Sequence, residues 1–67
     1  MINSVRELRT AAGWSQAHLA DLLKVSRQTI NAIETGRYDP SLPLAFSISH
    51  LFGQSIEAIF TPEQEPA

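Results

Sequence analysis

The chain has 67 residues, 43% of them hydrophobic, with five basic and seven acidic side chains, four prolines and no cysteine. One small domain of this size buries only about 60% of the surface its unfolded chain exposes, which leaves no room to enclose a substrate cleft beside the core. The missing cysteines exclude disulfide staples and thiolate metal sites, MINSVRELR lacks the apolar run of an export signal, and no stretch reaches membrane-spanning length, so a cytoplasmic protein is expected.

In chain order, Ser4 and Glu7 have the spacing of a capping box, which predicts a first helix from Val5 with Val5, Leu8 and Ala12 facing inward and Gly13 ending it. Trp14 should plug the next corner. Ser15 is placed to cap a second helix, in which Gln16, Leu19, Ala20 and Leu23 form one stripe. Lys24 and Val25 follow, and Ser26 can cap a third helix after a turn of about three or four residues. So short a link forces a steep crossing, with small Ala20 allowing close approach and Val25, Ile30 and Ile33 on the buried side. Gly36 ends the third helix. A fourth starts at Ser41, tolerates Pro43 in its first turn, and stops at Gly53; Ser55 caps a short fifth. The last residues, 61–67, read as a flexible acidic tail behind a domain of residues 1–60. The expectation is an all-α, compact five-helix bundle in which the second and third helices form a helix-turn-helix at about residues 15–36.

If Ile30 and Ile33 point inward, Arg27, Gln28 and Asn31 point outward near the start of the third helix, with Thr35 further along. Arginine pairs with two acceptors of guanine, glutamine with adenine, and Ala32 is small enough to admit a thymine methyl. A helix N-terminus also favours phosphate. Such a unit is suited to reaching into the major groove of double-stranded DNA.

These residues resemble the helix-turn-helix regulators of the phage repressor and Cro type, with a lambda-repressor-like fold. The likeness runs from VRELRTAAGWSQ (Val5 to Gln16) through VSRQTI and GRYDPSL to LFGQSIEAIF (Leu51 to Phe60), and is nearest to small stand-alone bacterial members. It implies a domain that binds operator DNA as a symmetric dimer. Gln16, Arg27, Gln28, Thr29 and Asn31 match contact positions, with Ser26 at the helix start beside them, and Arg37 and Tyr38 match a phosphate-contacting loop. Two positions depart from the family pattern. Lys24 stands where glycine is usual, and a lysine at positive φ costs on the order of 1 kcal/mol. Leu22 replaces a polar residue and is expected to cover the flank of the second helix, with a protein contact as the alternative. Arg9 and Glu34 match an arginine and glutamate of the family and are expected to form a partly buried structural pair; an exposed pair would contribute about 0 to 1 kcal/mol.

A net charge of −2 opposes DNA binding when read alone, because phosphate neutralisation dominates affinity. All five basic residues, however, precede Pro40. Residues 1–40 carry five basic and four acidic groups, +1, whereas residues 41–67 carry three acidic groups and no basic one, −3. With so few cations, neutral donors should do much of the positioning and the salt dependence should be shallow.

The fourth helix is too apolar for one face. Leu42, Ala45, Ile48 and Phe52 make the expected core stripe, leaving Leu44, Phe46 and Leu51 as apolar surface that a partner should cover. The alternative is a helix buried all round within its own fold. Pairing through Leu44, Phe46 and Leu51 with Ile56, Ile59 and Phe60 would set two third helices about 34 Å apart, one turn of DNA, and the operator would be an inverted repeat.

His18 and His50 lie on different helices and should face solvent; nothing has metal-ligand spacing, and no phosphate loop, nucleophile elbow or carboxylate pair occurs. No enzyme activity and no cofactor are expected. The leading reading is a sequence-specific transcriptional regulator, a homodimeric repressor, nucleoid-associated when bound. The other class is an antitoxin or protein-binding adaptor that uses the apolar surface of the fourth helix. An inducer protein or a toxin partner stays open under either reading.

Overall fold

A computed structural model describes residues 1–62. The elements, in chain order, are β1 (Ile2–Asn3), α1 (Val5–Ala11), α2 (Gln16–Leu23), α3 (Arg27–Glu34), α4 (Leu42–Phe52), α5 (Ile56–Ile59) and β2 (Phe60–Thr61). Four of the five helices start at a serine whose hydroxyl accepts the backbone N–H three residues on: Ser15 from His18, Ser26 from Thr29, Ser41 from Leu44, and Ser55 from Ala58.

The first helix departs from its expected capping box. Ser4 sits at φ −109° and ψ 23°, outside the extended region a capping residue uses, and its side chain makes no cap bond. Asn3 takes the role instead, its Oδ1 accepting the Val5 N–H at 3.0 Å. The cause lies across the chain. β1 and β2 pair antiparallel, Ile2 opposite Thr61 and Asn3 opposite Phe60, and the Ser4 N–H donates to the Ile59 carbonyl, which fixes the entry to α1. Thr61 therefore belongs to the folded unit rather than to the tail; residues 63–67, where the tail's acidic charge was expected, lie outside the described residues.

The core is built where the helices converge. Leu19 and Ala20 of α2, Ile30 and Ile33 of α3, and Ala45 and Ile48 of α4 are buried, and Val5, Ile59 and Phe60 close the other side. Four expectations change here. Ile59 and Phe60, assigned to a dimer seam, are only 2% and 6% exposed because the β1–β2 pairing folds the end of α5 onto the core; of the two, only Phe60 still lines the groove beside α4. Leu44 and Leu51 are half-buried and pack against the core, which leaves Phe46 as the open member of its trio, 50% exposed. Leu42 was expected inside but is 65% exposed, since α4 begins beyond the edge of the core, over a groove lined by Met1, Pro40 and Pro62. Ala12 is exposed as the C-cap of α1, not part of its buried stripe.

The corner between α1 and α2 is filled by Trp14, half-buried, with its ring centroid 5.7 Å from that of Phe52 and 5.5 Å from that of His18. Between α2 and α3 the chain turns at Lys24, which adopts the left-handed conformation at φ 59°, the only non-glycine residue to do so among the described residues. The Val25 N–H then returns to the Ala20 carbonyl at 3.0 Å, closing the turn against the small residue of α2.

Candidate nucleic-acid interface

α3 is amphipathic in the sense that matters for recognition. Its two isoleucines are fully buried, so the opposite side is forced outward: Arg27, Gln28 and Asn31 are all exposed. With Ala32, with Gln16 from the start of α2 and with Arg37 from the segment after α3, they line one shallow concave wall. Arg37 is held there by its backbone, because its N–H and that of Tyr38 both donate to the Ala32 carbonyl, at 2.9 and 3.2 Å. Tyr38 is exposed beside the wall without lining it.

Ser26 and Thr29 occupy the N-terminal turn, where their hydroxyls bond to each other at 2.9 Å while Ser26 also caps the Thr29 N–H. That arrangement satisfies the Thr29 N–H within the first turn of α3. Thr35 is exposed but does not line the wall; its hydroxyl donates to the Asn31 carbonyl at 2.9 Å.

Behind the wall lies a charged cluster. Glu34, with a fully enclosed side chain, accepts from Arg9 through two bonds, Nε to Oε2 at 2.7 Å and Nη2 to Oε1 at 3.2 Å. Arg9 also donates from Nη1 to the Trp14 carbonyl at 2.8 Å, so one guanidinium joins α1, the corner and α3. Arg6 approaches the same carboxylate at 3.6 Å from a more exposed position. Gln16 Nε2 donates to Glu34 Oε1 at 3.0 Å and to Asn31 Oδ1 at 3.3 Å. Burial pushes the Glu34 carboxyl up, but the hydrogen bonds from Arg9 and Gln16 and the two nearby guanidinium charges outweigh it and hold the group below its ordinary value. Arg9 is raised in turn by its bond to Glu34, against the opposing effect of burial.

Two of these contacts go beyond the sequence reading. Arg6 shares a helix face with Arg9 at a spacing of three residues, which was a visible signal. The Gln16 bond to Glu34 had no such signal, because it depends on the crossing angle between α2 and α3. Among the described residues no cluster of histidine and acidic side chains is placed to hold a metal, and no helix is long and apolar enough to cross a membrane.

A family model for helix-turn-helix proteins matches residues 5–59, nearly the whole of this unit. The chain belongs to the helix-turn-helix family of Cro/C1 type. Its relatives include small regulators of similar length. An uncharacterised HTH-type transcriptional regulator of Methanocaldococcus jannaschii is 51% identical over 65 residues, covering 97% of this chain and 98% of that protein. The Bacillus subtilis regulator YgzD is 46% identical over 65 residues, covering 97% and 98%. Among solved structures, the restriction-modification controller protein C.AhdI from Aeromonas hydrophila superposes with a TM-score of 0.74 at 32% identity, over 84% of this chain and 85% of that one. Members of this helix-turn-helix family are DNA-binding transcriptional regulators and not enzymes, and the present chain is a lambda-repressor-like example.

Proposed function

We propose that this helix-turn-helix regulator is a repressor that binds an inverted-repeat operator as a homodimer, with the first turns of α3 in the major groove. The observation that carries the reading is the wall itself, where Arg27, Gln28, Asn31 and Arg37 are exposed together on a surface whose underside is locked by buried Ile30 and Ile33. Two of these are cations suited to guanine or phosphate, and two are amides suited to base edges. Occupancy of the operator is the mechanism: bound protein excludes polymerase.

Dimerisation is supported by the exposed apolar surface of α4. Leu42 and Phe46 expose much of their surface on α4, next to Ile56 of α5 and the groove floored by Ala45 and Phe60. A second copy placed there buries apolar area that water disfavours and repeats the wall at a two-fold related position. The likeness to a small restriction-modification controller of similar extent favours a regulator that acts as a compact unit.

Selection of bound duplexes from a random pool tests both parts. Recovery of a palindrome supports the dimeric operator reading. A single unrepeated half-site would reject the symmetric dimer, and no enrichment at low salt would reject sequence-specific binding. The same exposed face of α4 favours a second reading, an antitoxin or adaptor docking another protein there. In that case replacing Arg27 and Gln28 leaves partner capture intact while replacing Phe46 abolishes it.

A further inference from the structure

We propose that Gln16 is a positioning residue that fixes which end of the Asn31 side-chain amide faces the DNA, and so sets the kind of base edge read there. This rests on the groove-facing orientation of α3 given above.

The reasoning starts at Glu34. Its carboxylate is enclosed and paired with Arg9, and an ionised carboxylate can only accept hydrogen bonds. The Gln16 atom lying 3.0 Å from Oε1 must therefore be the amide nitrogen. The second hydrogen of that nitrogen points to Asn31 at 3.3 Å, and there it can meet only the carbonyl oxygen Oδ1. Polarity is thus passed outward, from a buried charge through one amide to the next. Asn31 is left with Nδ2 unpartnered among the described residues, on the wall shared with Arg27, Gln28 and Arg37.

An outward NH2 group at Asn31 selects base edges that carry acceptors, namely guanine N7 and O6, thymine O4 or adenine N7. It disfavours cytosine, whose major-groove edge presents an amino donor. Without Gln16 the Asn31 amide is free to rotate by half a turn and to present either end. Discrimination at that one base pair would then fall while the rest of the footprint stayed intact.

The test compares the wild-type chain with Gln16→Met and Asn31→Ala by sequencing the duplexes each selects from a random pool. The expected result is a wild-type bias against cytosine at one position per half-site. Gln16→Met should lose roughly five-fold of that bias, the lower end of what one side-chain contact to a base contributes, and Asn31→Ala should lose it at the same position. A Gln16→Met protein that binds every sequence more weakly with an unchanged base profile would overturn the proposal. So would DNA-free wild-type protein whose Gln16 side-chain amide protons exchange with water as fast as those of Gln28 and Gln54. A wild-type chain that enriches nothing would overturn the groove-facing orientation and this proposal together, whereas fast exchange at Gln16 overturns the proposal alone.

Discussion

At the scale of single residues, Glu34 is where α1, α2 and α3 meet, through Arg9, Arg6 and Gln16. Removing only the carboxylate leaves a largely buried guanidinium unpaired, and a stranded buried charge costs more than the pair contributes. Glu34→Ala should therefore lose on the order of 3 kcal/mol in urea unfolding, and the double variant Arg9→Met, Glu34→Leu should lose clearly less. Equal losses would mean that solvent screens the pair. Because Glu34 is held below its ordinary value, its contribution is complete above the unfolded carboxylate range near pH ~4.3 and disappears as pH falls through the lower folded value. Melting temperature should then drop more steeply below about pH 4 in the wild type than in the double variant. The pairing partners were readable from the family-like spacing of Arg9 and Glu34. The bond from Gln16 to Glu34 was not, since no local pattern encodes which side chains meet across a helix crossing.

Among the elements, the α2–α3 unit was legible almost residue by residue, because serine caps, a short link and two buried isoleucines are all local signals. The turn carries one misfit, Lys24 at φ 59°. Lys24→Gly should raise thermal stability by up to about 1 kcal/mol, measured as a shift in Tm, with α3 unmoved. A loss of stability would mean that the lysine side chain makes a compensating contact. The strands were illegible for the opposite reason. Two residues give no alternation to detect, and the pairing of β1 with β2 joins segments almost sixty residues apart. That single long-range contact displaced the capping box at Ser4 and drew Ile59 and Phe60 into the core.

For the whole molecule, the sequence signalled that α4 carries more apolar surface than one face can bury, but it could not say which residues the small core would absorb. The fold takes Leu44 and Leu51 partly inward and leaves Leu42 and Phe46 open. Phe46→Asp should leave helix content unchanged, yield a monomer in analytical centrifugation at micromolar concentration and abolish operator binding. A variant that still sediments as a dimer would place the two-fold seam elsewhere.

The meeting of Ile2 with Thr61 has a mechanical consequence. Met1 and Pro62 lie at the same end of an antiparallel ribbon, so a pull applied through them loads one backbone bond at a time instead of shearing the ribbon as a block. The domain should peel open at low force, beginning with the stretch where Asn3 Nδ2 grips the Ile33 carbonyl at 2.9 Å, so that tension on the polypeptide reaches α3 first.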